Sequence, residues 1–385
     1  MEFGSYEREE NGRLCFRPSV PVFPPLESIW DQYEAARRAV EAFDLALTGS
    51  PVRNAVGRLF ARHDAVHSSG AEGATTTFTD LLAYQSVGRA VDVDDAVAVA
   101  ACAQAFEQMA ENPEASPREM ALAIHRRLFE QAPDPMIAAR AGLWKAHPNA
   151  TFDSAAGGSF HYTHPRSVPA ALAEWEAFSV AGDSSPQLVR QGLSHWMFEH
   201  IHPFDDGNGR TGRLLVPLLM KKTGATRHAC VFMGEAVHQN KGLYVDALKN
   251  ARRIGDFFNW SRVCLALIRQ TAEANVNRLH AVEALSGQWT AVIGGLRRHA
   301  AVHRLVPFVL TNPVFTVTEA AQAIGGTFQT VNTAVDQLLQ FGIIRQRGTE
   351  QRRGRLFVAP EVLALFEPAS EATSDRGFPS SFLIS

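Results

Sequence analysis

The chain has 385 residues, of which 46% are hydrophobic and 20% are charged. Such a chain can form two or three domains with sizeable cores, and wholesale disorder is excluded. The formal net charge of −3 also excludes a strong overall field that would draw the chain onto nucleic acid or anionic lipid.

Cysteine usage and the N-terminus predict a soluble, cytoplasmic protein. The four cysteines are widely separated, with no Cys-x-x-Cys pair and no zinc-spaced cluster with histidine. We therefore expect reduced thiols in a reducing compartment. The first residues lack the basic and apolar regions of a signal peptide, and no apolar stretch is long enough to span a bilayer, so no membrane partner is expected.

The N-terminal part of the chain predicts an extended arm followed by helices. Residues 16–28 contain four prolines, which fix φ and disfavour helix in the residue before them. Helical periodicity dominates from about residue 26 to residue 110. Its first apolar stripe recurs every three or four positions, at Ile29, Tyr33, Ala36, Val40, Phe43 and Leu47. Residues 1–5 resemble a cloning remnant and carry no prediction.

The middle of the chain changes from helix to hairpin and back to helix. Ser116 begins a helix as its N-cap, with Pro117 in the first turn and Glu119 three residues on. Residues 145–165 are rich in Gly, Ser, Asn and Pro, and the spacing of their aromatic residues predicts a short β-hairpin. Further helices are expected over residues 167–178, 187–201, 209–220, 242–248 and 256–299.

The C-terminal part of the chain predicts a separate unit over residues 307–367. A short helix over residues 317–324 is followed by a glycine turn and by a second helix from Thr327 to Phe341. Strand, loop and strand complete the pattern up to residue 358. This order is typical of a winged helix. The tail after residue 367 is expected to fray.

The segment from His202 to Arg213 combines a base with an anion site. Gly207, Asn208 and Gly209 form a glycine-rich turn that opens a helix, where unpaired N–H groups and the helix dipole attract anions. Arginines three residues apart on this helix can bind phosphate in a bidentate manner.

Two further side chains of this segment bear on its chemistry. Asp206 can hold Mg²⁺, which takes one or two carboxylates together with phosphate oxygens, and His202 can accept a proton near neutral pH. Together these groups indicate phosphoryl or nucleotidyl transfer. The alternative is a capped helix with a surface histidine and two solvated arginines, which requires some seven specified positions to coincide by chance.

The sequence from Phe198 to Arg213 resembles the signature of the Fic family, His-Pro-Phe-x-(Asp/Glu)-Gly-Asn-Gly-Arg-x-x-Arg, without a mismatch. The resemblance implies a helical fold that binds ATP with Mg²⁺ and transfers AMP to a Ser, Thr or Tyr hydroxyl of a protein. It implies that His202 is the general base and that Asp206 is a Mg²⁺ ligand. Gly207, Asn208 and Gly209 would form an anion hole, Arg210 and Arg213 would bind phosphate, and Phe204 would be a buried anchor. The intact Gly-Asn-Gly favours AMP transfer over the kinase activity of the related Doc enzymes.

The resemblance extends to an inhibitory motif, (Ser/Thr)-x-x-x-Glu-(Gly/Asn), matched from Ser68 to Gly73. It implies that Glu72 forms a salt bridge with Arg213 and so misplaces ATP for transfer. An ordinary exposed helix carboxylate is the alternative for Glu72. Gly70 stands where larger apolar residues are common in the family, and a glycine weakens a helix, so the inhibitory helix is expected to be loose.

Three further assignments follow from the resemblance. The hairpin over residues 145–165 matches a flap that docks the target by strand addition, with an ordinary surface hairpin as the alternative. Asn240 and Tyr244 match a stretch near the adenine, although core packing explains Tyr244 equally well. His195 and His200 are interpreted as structural or surface residues.

The arginines near the expected wing could contact DNA phosphates, but the expected recognition helix from Thr327 to Asp336 carries no Arg or Lys. Packing or homodimer formation is therefore favoured over DNA binding. The arginines in question are Arg345, Arg347, Arg352, Arg353 and Arg355.

We expect an all-α fold with a Fic-like helical core, a small β-hairpin flap and a C-terminal winged helix. The expected domains are residues 1–110, 111–290 and 300–367, with a flexible tail over 368–385. The leading hypothesis is an autoinhibited protein adenylyltransferase. Two others remain: a transcriptional regulator that senses nucleotides, and a Fic enzyme that uses UTP or a phosphocholine carrier as donor.

Overall fold

The computed structural model describes residues 3–9, 11–50, 52–87, 95–112, 114–153, 157–347 and 355–367. The tip of the expected flap, Arg352, Arg353 and the C-terminal tail lie outside the described residues. Helix makes up 65% of the structure, with two small sheets, which confirms the mostly helical class.

The chain divides into two compact units, each assembled from three segments. The first comprises Met1–Asp44, His67–Glu72 and Ala101–Glu273, and the second comprises Leu45–Val66, Gly73–Ala100 and Ala274–Ser385. The chain passes between them five times, once in the turn between Glu72 and Gly73 and otherwise within a helix. The four helices are α1 Trp30–Gly49, α2 Arg53–Gly70, α4 Ala96–Ala110 and α12 Phe257–Ile293. The domain boundaries expected from the sequence stay a prediction.

The sheet of the first unit has four strands in the order β1-β2-β4-β3. Their bounds are Gly4–Arg8, Leu14–Pro18, Gly158–His161 and Ala150–Asp153, in the same order. Strands β3 and β4 pair antiparallel, which confirms the predicted hairpin, and β2 pairs with β4 in parallel. The sequence predicted only an extended arm near β2, and β1 includes residues that resembled a cloning remnant.

The helices of the first unit pack around α8, which is buried along almost its whole length. Helices α7 and α9 both pack against it. The capping box at the start of α5 is present as predicted, with reciprocal hydrogen bonds between Ser116 and Glu119. The remaining helices of this unit are α5 Pro117–Phe129, α6 Pro135–Ala139, α7 Val168–Ser179, α8 Gln187–Ile201, α9 Asn208–Lys222, α10 Gly234–Gln239 and α11 Lys241–Ile254.

The second unit contains a three-stranded antiparallel sheet in the order β5-β7-β6, with Phe315 and Phe357 fully buried beneath its helices. The two helices predicted after residue 316 are confirmed as α14 and α15, and the predicted strand pair as β6 and β7. The winged-helix assignment stays a prediction. The elements are α3 Phe78–Val87, α13 Val302–Thr311, β5 Val314–Thr316, α14 Val317–Ile324, α15 Phe328–Gln340, β6 Arg345–Arg347, β7 Leu356–Val358 and α16 Pro360–Phe366.

Within the described part of the chain, every helix is too short or too polar to cross a bilayer.

Candidate functional site

The candidate site lies in the turn between α8 and α9. Helix α8 ends at Ile201, and the next residue, His202, has a φ of 49°, which makes it the one described non-glycine residue with a left-handed backbone. Pro203 follows, and Gly207, with a φ of 72°, precedes the first residue of α9. The predicted helix end and helix start are therefore both confirmed, and His202 is held at the mouth of the turn.

Phe204 anchors this turn in the core. Its ring is fully buried and stacks on His125, with ring centroids 3.8 Å apart, and on Trp144, with centroids 4.8 Å apart. The Asn208 side chain accepts a hydrogen bond from the Phe204 N–H at 2.9 Å and donates one to its carbonyl at 3.0 Å. The predicted anchor is confirmed, and the Asn208 side chain holds the backbone of Phe204.

Lys145 and Asn149 hold the turn from the opposite side. The Lys145 N–H donates to the Pro203 carbonyl at 2.8 Å, and its Nζ lies 3.3 Å from the Ile201 carbonyl. Asn149 donates to the Phe204 carbonyl at 2.8 Å. Burial lowers the pKa of Lys145 to about 7. The sequence placed Lys145 in the flap but gave no sign of this positioning role.

His202 is oriented to accept a proton. Its Nδ1 lies 3.1 Å from the Glu199 carbonyl, which can only accept, so Nδ1 carries the hydrogen and Nε2 keeps a lone pair. The ring stacks on Tyr162, with centroids 3.8 Å apart. Burial, assisted by the charge of Lys145, lowers the pKa of His202 to about 3, so the imidazole is neutral at ordinary pH.

A cavity of about 270 Å³ opens beside His202. It brings together five residues singled out from the sequence, namely Glu72, His202, Gly209, Arg213 and Tyr244. It also contains basic residues that the sequence interpretation missed: Lys241, Lys249 and Arg252. Their spacing along α11 places them on one helix face, and this periodic basic pattern was the signal that could have identified them.

Arg213 is paired with the segment that ends α2. Its Nη2 lies 2.7 Å from Oε1 of Glu72 and 2.8 Å from the Ser68 carbonyl, and its Nε lies 2.9 Å from the Ser68 hydroxyl. Burial raises the pKa of Glu72, but the charge and hydrogen bond of Arg213 outweigh this and leave it lowered. The expected ion pair is thus present, although Glu72 lies in a turn just beyond the helix rather than within it.

The Glu72 carboxylate lies directly against the start of α9. A Cβ added to Gly209 would lie 2.3 Å from Glu72 Oε1 and 2.9 Å from Arg213 Nη1. Only glycine allows this approach. Because the first N–H groups of a helix have no partner within it, the carboxylate occupies the place where an anion is attracted.

Asp206 and Arg210 lie at the outer side of the turn. The Asp206 side chain is 78% exposed, and its Oδ2 lies 3.5 Å from Arg210 Nη2. Its Oδ1 accepts from the Gly207 N–H at 2.6 Å. An exposed carboxylate beside a phosphate-type site fits the ligand set that Mg²⁺ takes in proteins. The Arg210 guanidinium also lies 5.2 Å from the centre of the Phe129 ring, close to the turn.

Of the two residues assigned near the adenine, one lines the cavity and the other does not. Tyr244 lines the cavity and is almost fully buried, and its hydroxyl lies 2.8 Å from Nε2 of His195. Asn240 donates instead to the Ala236 carbonyl at 2.9 Å, within its own helical region. His195 and His200 are both buried, so of the two interpretations offered for them the structural one is correct.

Glu199 is a cavity residue that the sequence interpretation missed. Among the described residues, its buried Oε1 has no hydrogen-bond partner. Burial raises its pKa to about 7, against the opposing charge of Arg213. Glu199 therefore holds a proton up to neutral pH, three residues before His202 on α8.

Comparison with known proteins agrees with this geometry. The model of the Fic/DOC family matches residues 115–220, which contain the turn but neither Glu72 nor Tyr244. This segment is therefore similar to the Fic/DOC family domain. A probable protein adenylyltransferase from Aquifex aeolicus (strain VF5) is 37% identical over 59 residues, which are 15% of this chain and 16% of that protein. The chain thus matches only a small part of the length of this relative.

Solved structures show the same fold. A Fic family protein from Desulfovibrio desulfuricans G20 is 18% identical, with 89% of this chain and 98% of that chain covered and a TM-score of 0.56. Fic-1 from C. elegans is 21% identical, with 66% of this chain and 73% of that chain covered and a TM-score of 0.51. The likeness establishes a helical fold with a small β flap.

Proposed function

We propose that this protein is an autoinhibited adenylyltransferase that moves AMP from ATP to a Ser, Thr or Tyr hydroxyl of a protein, including itself. The observation that carries the proposal is the cavity in which His202 faces Gly209 and Arg213 at the start of α9. A base and an anion site share one cavity there. The Fic/DOC match over the same residues and the name of the Aquifex relative support it.

The transfer step needs one proton acceptor and one leaving group. Nε2 of His202 accepts the proton of the target hydroxyl, and the hydroxyl oxygen forms a bond to the α-phosphorus of ATP. The bond between the α-phosphorus and its bridging oxygen to the β-phosphate breaks, and pyrophosphate leaves. The bound triphosphate places negative charge near His202, which raises its pKa from the value in the resting protein and favours the proton transfer.

The residues around the turn would hold the triphosphate. The backbone N–H groups of Asn208 and Gly209, together with Arg210, would bind the inner phosphates, and Arg213 would bind the γ-phosphate. The Gly207 N–H donates to Asp206 in this structure and would join them when that carboxylate turns to Mg²⁺. Asp206 would hold Mg²⁺, which neutralises charge on the phosphates when bound.

Glu72 would keep this site idle. It occupies both the Arg213 guanidinium and the space over Gly209, so a γ-phosphate could not take its place on Arg213. ATP would bind with its α-phosphorus out of line with the attacking hydroxyl. Misplacement on this scale costs about 10²-fold or more in rate.

The test is labelling with ATP carrying the label on its α-phosphate. The Glu72→Gly protein is expected to modify itself about 10²-fold faster than the wild type, because Arg213 becomes available to the γ-phosphate. Glu72→Gln is the matched control, since it keeps the size of the side chain and removes its charge, and it should fall between the two. An equal rate in wild type and Glu72→Gly removes the inhibitory role.

The base is tested in the activated background. His202→Ala added to Glu72→Gly should abolish labelling, and Asp206→Ala should lose both labelling and its Mg²⁺ dependence. Retained labelling in the His202 double variant overturns the mechanism. Incubating the Glu72→Gly protein with lysate and each labelled nucleotide then separates ATP from other donors and identifies the target by mass.

The regulator hypothesis has less support in the second unit. Two of the arginines expected to contact DNA have partners within that unit, because Arg347 lies 3.3 Å from Asp80 and Arg355 lies 2.6 Å from Asn332. A salt-dependent shift of promoter DNA, lost on deleting residues 300–385, is the result that would favour this hypothesis over the enzyme.

A further inference from the structure

The cavity contains a buried carboxyl group, that of Glu199, to which the transfer step gives no role. Its side chain is 10% exposed, and its Oε1 has no hydrogen-bond partner among the residues that the structure describes. Nδ1 of His195 lies 3.9 Å away, beyond hydrogen-bonding distance. Burial lowers the pKa of His195 to about 3, so this ring is neutral and does not pair with a carboxylate. A buried polar group in this state calls for a partner that the protein itself does not supply.

Helix α9 presents two glycines three residues apart, Gly209 and Gly212, and a carboxyl group lies against each of them. A Cβ added to Gly212 would lie 2.5 Å from Oε1 of Glu199, and a Cβ added to Gly209 would clash with Oε1 of Glu72. Residues three apart on a helix are neighbours, with about 5–6 Å between their Cβ positions. The two carboxyl groups are therefore neighbours on one face of the first turns of α9.

A phosphate that replaces Glu72 comes to lie beside Glu199. In the proposed active state, the γ-phosphate takes the place of the Glu72 carboxylate on Arg213 and over Gly209. Its oxygens then face the carboxyl group over the next glycine of α9. An ionised carboxylate would repel these oxygens, whereas a carboxylic acid can donate a hydrogen bond to one of them.

We propose that Glu199, as a carboxylic acid, donates a hydrogen bond to the γ-phosphate of the bound nucleotide, and that the cavity thereby selects a triphosphate over a diphosphate. The role of Glu199 rests on the proposed function, because ATP is taken as the ligand of the cavity and Glu72 as the group that its γ-phosphate displaces.

The proton on Glu199 makes the affinity for the triphosphate depend on pH. A phosphate on Arg213 offsets the positive charge that favours the carboxylate, and its own negative charge raises the pKa of Glu199 above the value of about 7 in the resting protein. The affinity is therefore highest where Glu199 is already protonated, and it falls as pH rises through about 7.

The other groups around Glu199 do not titrate in this range or are absent from the protein to be tested. Burial keeps His195 and both tyrosines neutral, since it lowers the pKa of the histidine and raises that of each tyrosine. Glu72 is removed in the Glu72→Gly protein. The groups that face Glu199 are Arg213 on α9, Glu72 in the turn after α2, Tyr244 on α11, Tyr162 next to β4, and His195 on α8 itself.

Binding of two nucleotides that cannot transfer AMP tests the role of Glu199. Full-length Glu72→Gly protein is titrated calorimetrically with α,β-methylene-ATP and with α,β-methylene-ADP, at pH 6 with Mg²⁺. Adding Glu199→Leu, which removes the donor and leaves a side chain of similar size, should weaken triphosphate binding about tenfold and diphosphate binding less than about twofold. Asp246→Asn, which alters an exposed carboxyl of α11 outside the cavity, is the control and should change neither.

Thermal melts establish that the variants are folded. Equal losses for both nucleotides in Glu199→Leu, or no loss for either, overturn the proposal.

The pH profile separates donation by a carboxylic acid from a merely structural role. Glu199→Gln keeps the size of the side chain and an N–H donor but does not titrate. From pH 6 to pH 8, triphosphate binding should weaken about tenfold more in Glu72→Gly than in Glu72→Gly with Glu199→Gln, and this difference cancels the titration of the nucleotide itself.

The remaining outcomes contradict the proposal in distinguishable ways. Equal pH profiles for the two proteins overturn it. Tighter binding by Glu199→Gln at pH 6 also overturns it, because Glu199 would then compete with phosphate for Arg213. If neither analogue binds to any variant, the proposed function fails as well, whereas binding that ignores every change at position 199 overturns the role of Glu199 alone.

Discussion

At the scale of single residues, His202 and Glu199 show what burial does to two titratable groups on the same helix. Burial lowers the pKa of His202 to about 3 and raises that of Glu199 to about 7, because in each case the charged form loses its hydration. The histidine is kept as a neutral acceptor and the glutamate as a neutral acid. Both groups line the same cavity as Arg213.

The raised pKa of Glu199 predicts how the stability of the protein changes with pH. In the unfolded chain this carboxyl loses its proton near pH 4.5, whereas in the folded protein it does so near pH 7. Folding is therefore penalised progressively as pH rises between these values, by about 3 kcal/mol in full. Glu199→Gln removes the titration, so its stability relative to the wild type should increase from pH 5 to pH 8. Denaturant melts across this range measure the difference, and a constant difference would contradict the assignment.

Sequence reasoning predicted that residues whose positions are set locally would lie together, and His202, Gly209 and Arg213 do line one cavity. His202, Gly209 and Arg213 are separated by at most eleven positions, so a helix end, a turn and a helix start suffice to bring them together. Glu199 and Lys145 act through contacts with backbone and charges far away in the chain. No spacing rule reports such contacts.

At the scale of elements, the flap hairpin is fastened by a buried ion pair. Asp153, at the end of β3, pairs with Arg252 on α11, and both side chains are almost fully buried. The guanidinium also lies 3.6 Å from the centre of the Phe160 ring on β4. Because Arg252 lines the cavity, the same contact fixes the flap beside the candidate site.

Breaking this pair should be costly. Asp153→Ala leaves a buried and unpaired guanidinium, which we expect to cost about 3–5 kcal/mol of unfolding free energy. Adding Arg252→Met removes the stranded charge and should recover part of the loss. Glu174→Ala breaks the exposed pair with Arg17 and serves as control, with a cost of about 1 kcal/mol or less. Equal losses for the buried and exposed pairs, measured by urea unfolding, would contradict this account.

The strands of the first sheet also show where a local sequence pattern stops predicting structure. The β3–β4 hairpin was predicted because its two strands are adjacent in sequence. Strand β2 joins that sheet through a single parallel pairing, Cys15 with His161, and these two residues are 146 positions apart in the sequence. A proline-rich segment with no partner strand nearby in the sequence is therefore predicted to be an extended arm. The strand is recognised only when the distant pairing partner is known from the fold.

At the scale of the whole molecule, the division into units follows neither sequence continuity nor helix ends. Each unit is made of three segments, and four of the five boundaries fall within α1, α2, α4 and α12, while the fifth lies between Glu72 and Gly73. A sequence pattern reports where a helix begins and ends, but assignment to a unit depends on long-range contacts. The expected domains were drawn as continuous ranges for this reason. Ser68 and Glu72, for which we propose an inhibitory role, belong to the same unit as Arg213, which they contact, although the preceding part of α2 belongs to the other unit.

The resting protein is expected to bind ATP but to transfer little AMP. The binding can be measured as an increase in the melting temperature of the whole protein. A ligand that binds only the folded state at 100 times its Kd stabilises it by about 2.7 kcal/mol. ATP with Mg²⁺ should therefore raise the melting temperature of the wild type, and His202→Ala should respond equally because the base does not contribute to binding. Arg210→Ala should respond less, since it loses a phosphate ligand. Glu72→Gly should show the largest rise, because Arg213 then binds the γ-phosphate. A wild type that melts at the same temperature with and without millimolar ATP would show that Glu72 excludes the nucleotide altogether, rather than holding it in an idle pose.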